Sequence, residues 1–172
     1  MKILIAGVGN LLRGDDAFGV VVADQLSVRA NFSKQVDIYE AGIAGIAFVQ
    51  QLMNGYDALI VVDAVDRGVS PGTIFVFEPE IAEIDTKSNL TDFHSSLADA
   101  HYTEPSKVLT LARALNVLPP IVFMVGCQPK NCDEFEEDLT PAVRRAIPIA
   151  IERIESLVRE IQLSSDPLSV LK

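Results

Sequence analysis

The stretch Ile3-Leu4-Ile5-Ala6-Gly7-Val8-Gly9-Asn10-Leu11-Leu12-Arg13-Gly14-Asp15-Asp16-Ala17-Phe18-Gly19-Val20-Val21-Val22 decides how the rest of the chain is read. A short β-rich apolar run bounded by glycines marks a buried strand, and the residues after Asp16 carry the apolar spacing of a helix. Asp15 and Asp16 are therefore expected on a strand-to-helix turn. Carboxylates at a helix start cap free amides and favour the macrodipole, so a structural role is open to both. Gly7 and Gly9 after a strand, with Glu40 near the end of the next, also invite a dinucleotide-binding reading. Two features oppose it. Leu12 stands in the third glycine position, which removes the close helix approach of that fingerprint, and the two acids put negative charge where a pyrophosphate needs positive potential.

Outward from this stretch, strand and helix signals alternate along nearly the whole chain, which predicts an α/β fold with helices on both faces of the sheet. A first helix is expected over residues 17–29, a strand over 36–40, and a second helix over 46–53 that stops at Asn54-Gly55. Ala58-Leu59-Ile60-Val61-Val62 is a continuous apolar run, as a central strand buried on both faces requires, and it ends on Asp63. Residues 72–78 read as a strand entered through Ser70-Pro71-Gly72. So short a return predicts an antiparallel edge strand. Residues 81–102 are polar, lack sustained periodicity and hold both histidines, the pattern of a functional connection. A helix from Glu104-Pro105 to Asn116, a last strand over 121–126 and a final helix from Thr140-Pro141 to about Ile161 complete the chain. The expected architecture is a three-layer α/β/α sandwich around a mostly parallel twisted sheet of about five strands with one antiparallel edge strand. Residues 1–161 form one domain in this reading, and 162–172 a frayed tail.

Composition narrows the function classes. At 172 residues and 49% hydrophobic, the chain has material for one sizeable core. No apolar run approaches a membrane span and no signal-peptide pattern precedes the first strand, so a cytoplasmic protein without a membrane partner is expected. A net charge of -10, with no basic run longer than Arg144-Arg145, argues against nucleic acid. Cys127 and Cys132 fit neither a Cys-x-x-Cys motif nor a zinc knuckle and read as packing or incidental residues.

If the first three strands are parallel, their carboxyl ends share one sheet edge, where ligand sites of open α/β sheets lie. That edge would collect Asp16 after strand one, Glu40 at the end of strand two and Asp63 at the end of strand three. A histidine from the polar connection would complete a nitrogen and oxygen donor set suited to nickel or zinc rather than magnesium. No serine or cysteine with a paired base offers acyl-enzyme chemistry.

The motif Gly-x-Gly-Asn-x-Leu-x-x-Asp-Asp-x-x-Gly, over Gly7 to Gly19, resembles the N-terminal motif of the hydrogenase maturation endopeptidases, which trim the C-terminus of nickel-iron hydrogenase large subunits. Asp63-Ala64-Val65-Asp66 and Glu40-Ala41-Gly42-x-x-Gly45 resemble their later motifs, although Glu40-Ala41 stands where Asp-Gly is common. The resemblance implies that Asp16 and Asp63 are metal ligands. It also implies a histidine ligand before the third main helix. His101 fits as a residue held at a helix start, and His94, followed by Ser-Ser-Leu-Ala-Asp, is the alternative. The nickel would arrive inside the large-subunit precursor as the recognition mark, and zinc or cadmium could take its place in crystals. Asp16, Asp63, His101 and Glu40 are the catalytic candidates by this resemblance; whether peptide attack uses a carboxylate base or water activated by the metal stays open. Asp15 is expected to be the capping partner, worth about 1 kcal/mol. A competing reading is a receiver-like phosphoacceptor module, which also combines a paired acid, an acid after strand three and a lysine near strand five. Here the pair comes late, after Gly7-Val8-Gly9-Asn10, and Lys130 follows Gln128-Pro129 in a loop.

Overall fold

The structure, a computed structural model, describes residues 1–29, 32–43, 45–83, 105–132 and 138–163. Its strands are β1 (Ile3–Val8), β2 (Val36–Gly42), β3 (Ala58–Ala64), β4 (Ile74–Phe77) and β5 (Ile121–Cys127), and its α-helices are α1 (Phe18–Arg29), α2 (Gly45–Leu52), α3 (Pro105–Ala114) and α4 (Pro141–Leu163). The sheet order is β2-β1-β3-β5-β4. β1 pairs with β2 and β3 in parallel, β3 with β5 in parallel, and β4 with β5 antiparallel, so the short edge strand is the one expected from the Ser70-Pro71-Gly72 turn.

Each central strand divides its side chains between two apolar layers, because successive residues point to opposite faces. Ile3, Ile5, Ile60 and Phe123 face the layer of Phe18, Val22 and Leu26 on α1 and the long buried stripe of α4. Leu4, Ala6, Leu59 and Val61 face Phe48, Val49 and Leu52 on α2 and Val108, Leu109, Leu111 and Ala112 on α3. The arrangement is a three-layer sandwich. Phe18, Phe48 and Phe123 are all sealed from solvent, and full burial of a side chain of this size stabilises by about 1.5–3 kcal/mol.

The chain runs from β1 to α1 through a 3-10 turn, Gly14–Ala17, that carries both acids. Two glycines set how tightly this junction closes. Gly9 has φ +135, and a Cβ there would lie 1.8 Å from the Asp16 carbonyl oxygen. Gly19 packs against the strands: its Cβ would meet the carbonyl oxygens of Val62 and Val8 at 2.1 and 2.3 Å. The close helix approach that Leu12 was expected to forbid is therefore present. It is made inside the helix, by Gly19, rather than in the preceding loop.

Candidate active site

Asp16 is half-buried in the 3-10 turn, and its Oδ2 accepts a hydrogen bond from the Asn10 backbone N–H at 2.9 Å. The loop before it is closed by its own side chain, since Leu12 N donates to Asn10 Oδ1 at 2.9 Å. Burial raises the Asp16 pKa, and the Asn10 amide and the Arg13 charge partly oppose that rise. Asp63 lies one residue before the end of β3, opposite Gly126 of β5, and is 8% exposed. Burial first, and the negative charge of Asp16 second, push its carboxyl well above the usual carboxylate range, with the Ala64 amide pulling the other way. The two carboxylates thus feel each other across a common space.

That space is a cleft of about 820 Å³. Its apolar lining includes Val65, Phe77, Leu109 and Met124, and its polar lining Asp16, Asp63, Asp66 and Glu80. Pro105 and Ser106, the first residues of α3, form one wall, and Pro129 and Cys132 another. Strand ends and a helix start converge here, as the sheet topology requires of a parallel core. Among the described residues, no three His, Cys, Asp or Glu side chains are grouped to hold a metal ion. The described part of the site is a pair of acids.

Glu40 is exposed, sits two residues before the end of β2 in register with Gly7, and lines a neighbouring groove of about 280 Å³ with Asn10, Leu11 and Ile43. It is not among the residues lining the cleft that holds Asp16 and Asp63. His94 and His101 both lie outside the described residues.

Among the described residues Asp15 caps no helical amide; it takes its partners from segments far along the chain. Fully buried, it accepts from Lys130 N at 2.8 Å, Asn131 N at 3.3 Å, Thr140 N at 2.7 Å and Thr140 Oγ1 at 3.0 Å. Thr140 immediately precedes α4, so Asp15 ties the turn after β1 to the far end of the chain. Cys127 is buried, and its thiol is pushed up to about 12 by burial and by the Asp15 charge. Such a thiol carries almost no thiolate at neutral pH, in keeping with a packing role. Neither cysteine forms a disulfide.

Comparison with known proteins agrees with this fold. Residues 20–157 match the family model HycI, hydrogenase maturation protease. The chain belongs to the hydrogenase maturation protease family. It is 33% identical over 158 residues to the hydrogenase expression/formation protein HupD of Rhizobium leguminosarum bv. viciae, covering 92% of this chain and 74% of that protein. It is 30% identical over 168 residues to the hydrogenase 2 maturation protease of Escherichia coli K12, covering 97% and 96%. The solved structure of the E. coli hydrogenase maturating endopeptidase HybD superposes with a TM-score of 0.72 at 28% identity, over 93% of each chain. The family match begins at residue 20, just past the 3-10 turn, whereas the pairwise similarities span nearly the whole protease. Membership removes the receiver-like and nucleotide-binding alternatives.

Proposed function

We propose that this protease removes the C-terminal extension of a nickel-iron hydrogenase large-subunit precursor after nickel insertion, and that Asp16, Asp63 and a histidine before α3 read the nickel. The observation that carries the reading is the pair Asp16 and Asp63 in one cleft, with Asp63 buried and further disfavoured as an anion by its neighbour. Two carboxylates held this way gain from a divalent cation, which replaces lost water and screens their mutual repulsion. Carboxylate oxygens joined by an imidazole suit nickel or zinc better than magnesium. Since the metal belongs to the substrate, affinity of the free protease for added nickel, zinc or cadmium is modest.

The third donor is His101, with His94 as the alternative. Pro105 lines the cleft four positions after His101, which supports bringing that segment to the acids. Glu40 is proposed as a flanking catalytic group only, since its groove adjoins the loop of Asn10 that holds Asp16. The reaction is placed in the cytoplasm; no described helix is long and apolar enough to cross a membrane.

The test is to incubate the protease with nickel-loaded and nickel-free precursor and follow loss of the C-terminal extension by mass. Cleavage of the loaded form alone is expected. Equal cleavage of both forms would remove metal reading, and no cleavage of either would remove the assignment. His101→Ala is expected to abolish processing while His94→Ala leaves most of it; the reverse pattern assigns the donor to His94. Wild-type rates for Glu40→Gln would leave Glu40 out of the chemistry.

A further inference from the structure

Gln128 lies directly after β5, is 4% exposed, and directs most of its amide to the connection between β3 and β4. Its Oε1 accepts from Arg67 N at 2.7 Å and Val69 N at 3.4 Å, while its Nε2 donates to Asp66 Oδ1 at 2.9 Å and to the Pro129 carbonyl at 3.1 Å. Its backbone does the same work: Gln128 N donates to the Thr73 carbonyl and Gly72 N to the Gln128 carbonyl, both at 2.8 Å. Asp66 Oδ1 also accepts from Gly68 N at 2.9 Å. The neighbouring Arg67 is turned onto aromatic rings, 3.9 Å from the centroid of Phe77 and 5.0 Å from that of Phe75. The stretch from Ala64 to Asp66 forms a wall of the cleft and begins next to Asp63. Ala64 closes β3 and Val65 N donates to the Cys127 carbonyl at 2.9 Å, so β5 holds that part of the wall, whereas Asp66 and the residues after it are held by the Gln128 amide.

We infer that Gln128 is a positioning residue for the reaction: through its hydrogen bonds to Asp66, Arg67 and Val69 it fixes the Asp66 end of the wall against which the substrate chain lies in the Asp16/Asp63 cleft. The inference rests on the proposed cleavage reaction for its kinetic half only. The bond geometry, rather than the charge of Asp66, is what matters, because an amide oxygen at position 66 accepts the same two hydrogen bonds as the carboxylate.

Asp66 is exposed, so its substitution tests the link without opening the core. Asp66→Ala breaks the link and is expected to raise KM about tenfold with kcat within about twofold, the signature of lost substrate binding. Asp66→Asn keeps the link and is expected to undo most of the rise in KM seen in Asp66→Ala. Gln128→Ala reproduces the rise in KM, and adding Asp66→Ala to it changes little further, since the two act through one contact. A fall in kcat at unchanged KM would mean only less folded enzyme and would overturn the inference, as would Asp66→Asn behaving like Asp66→Ala or Asp66→Ala behaving like wild type. Hydrogen exchange of residues 66–69 in the free protease reads the same link without substrate. Exchange is expected to accelerate in Asp66→Ala and Gln128→Ala but not in Asp66→Asn, and unchanged exchange in all three overturns the positioning role. If wild type fails to cleave while exchange accelerates as expected, the proposed reaction fails and the restraint on the wall stands.

Discussion

Asp15 and Asp16 are adjacent, identical in type, and opposed in role. Asp16 turns its carboxylate to the cleft with one backbone amide holding it, whereas Asp15 is sealed inside and holds Lys130, Asn131 and Thr140. Asp16→Asn preserves shape and hydrogen bonding to Asn10 but removes the charge that a metal-reading or proton-transferring group needs. It is expected to lower precursor cleavage at least a hundredfold while the melting temperature stays the same or rises. Wild-type cleavage with lowered stability would make this carboxylate a cap and nothing more. Asp15→Ala strands several part-buried donors at once, so the cost is about 3 kcal/mol rather than the 1 kcal/mol of a simple cap, or roughly 6–12 °C in melting temperature for a chain of this size. Thermal melts beside cleavage rates normalised to folded protein separate the two residues. The sequence exposed the pair but not which partner each one takes, because the partners of Asp15 lie more than a hundred residues away.

At the level of elements, periodicity and turn chemistry were enough for the five strands and four α-helices of the described residues, and for the antiparallel edge. What they could not supply was contact between elements. Gly19 reads in sequence as a weak spot in a helix, yet it is the point where α1 rests on the backbones of β1 and β3. Gly19→Ala is therefore expected to destabilise by roughly 3 kcal/mol or more, at the upper end of overpacking costs, measured as the shift in urea midpoint at constant m. An exposed Ser27→Ala on the same helix serves as the control and should shift it by less than about 0.5 kcal/mol. Gln128 was equally silent in the sequence. A glutamine after a strand has no pattern that announces three side-chain hydrogen bonds to a loop about sixty residues earlier in the chain.

For the molecule as a whole, the cleft acids set the direction of the pH dependence. Asp63 and Asp16 both have folded-state pKa values above the ordinary 3.8, so the folded protein binds more protons than the unfolded chain above that value. Their contribution to stability is fully present below pH 3.8 and is lost as pH rises through the folded-state values. Asp63→Asn, which keeps the acceptor for the Ala64 amide and sheds the charge, is expected to melt higher than wild type at pH 7, with the gap closing towards pH 4, and to be inactive. Melts across that range check it; a variant less stable than wild type at pH 7 contradicts the sign. Greater stability without activity is what a site tuned for function rather than rigidity should show.

The strand order also has a consequence in time. β4 pairs only with β5 among the described strands, yet Ile121 is made forty-four residues after Phe77. At 5–20 residues per second on the ribosome, Ile74-Phe75-Val76-Phe77 waits about 2–9 s for the neighbour it pairs with among the described strands. The nascent chain therefore carries an unpartnered apolar strand until its penultimate stretch of structure is synthesised. That interval makes β4 the segment a chaperone would hold, and the first to aggregate if translation stalls before β5 emerges.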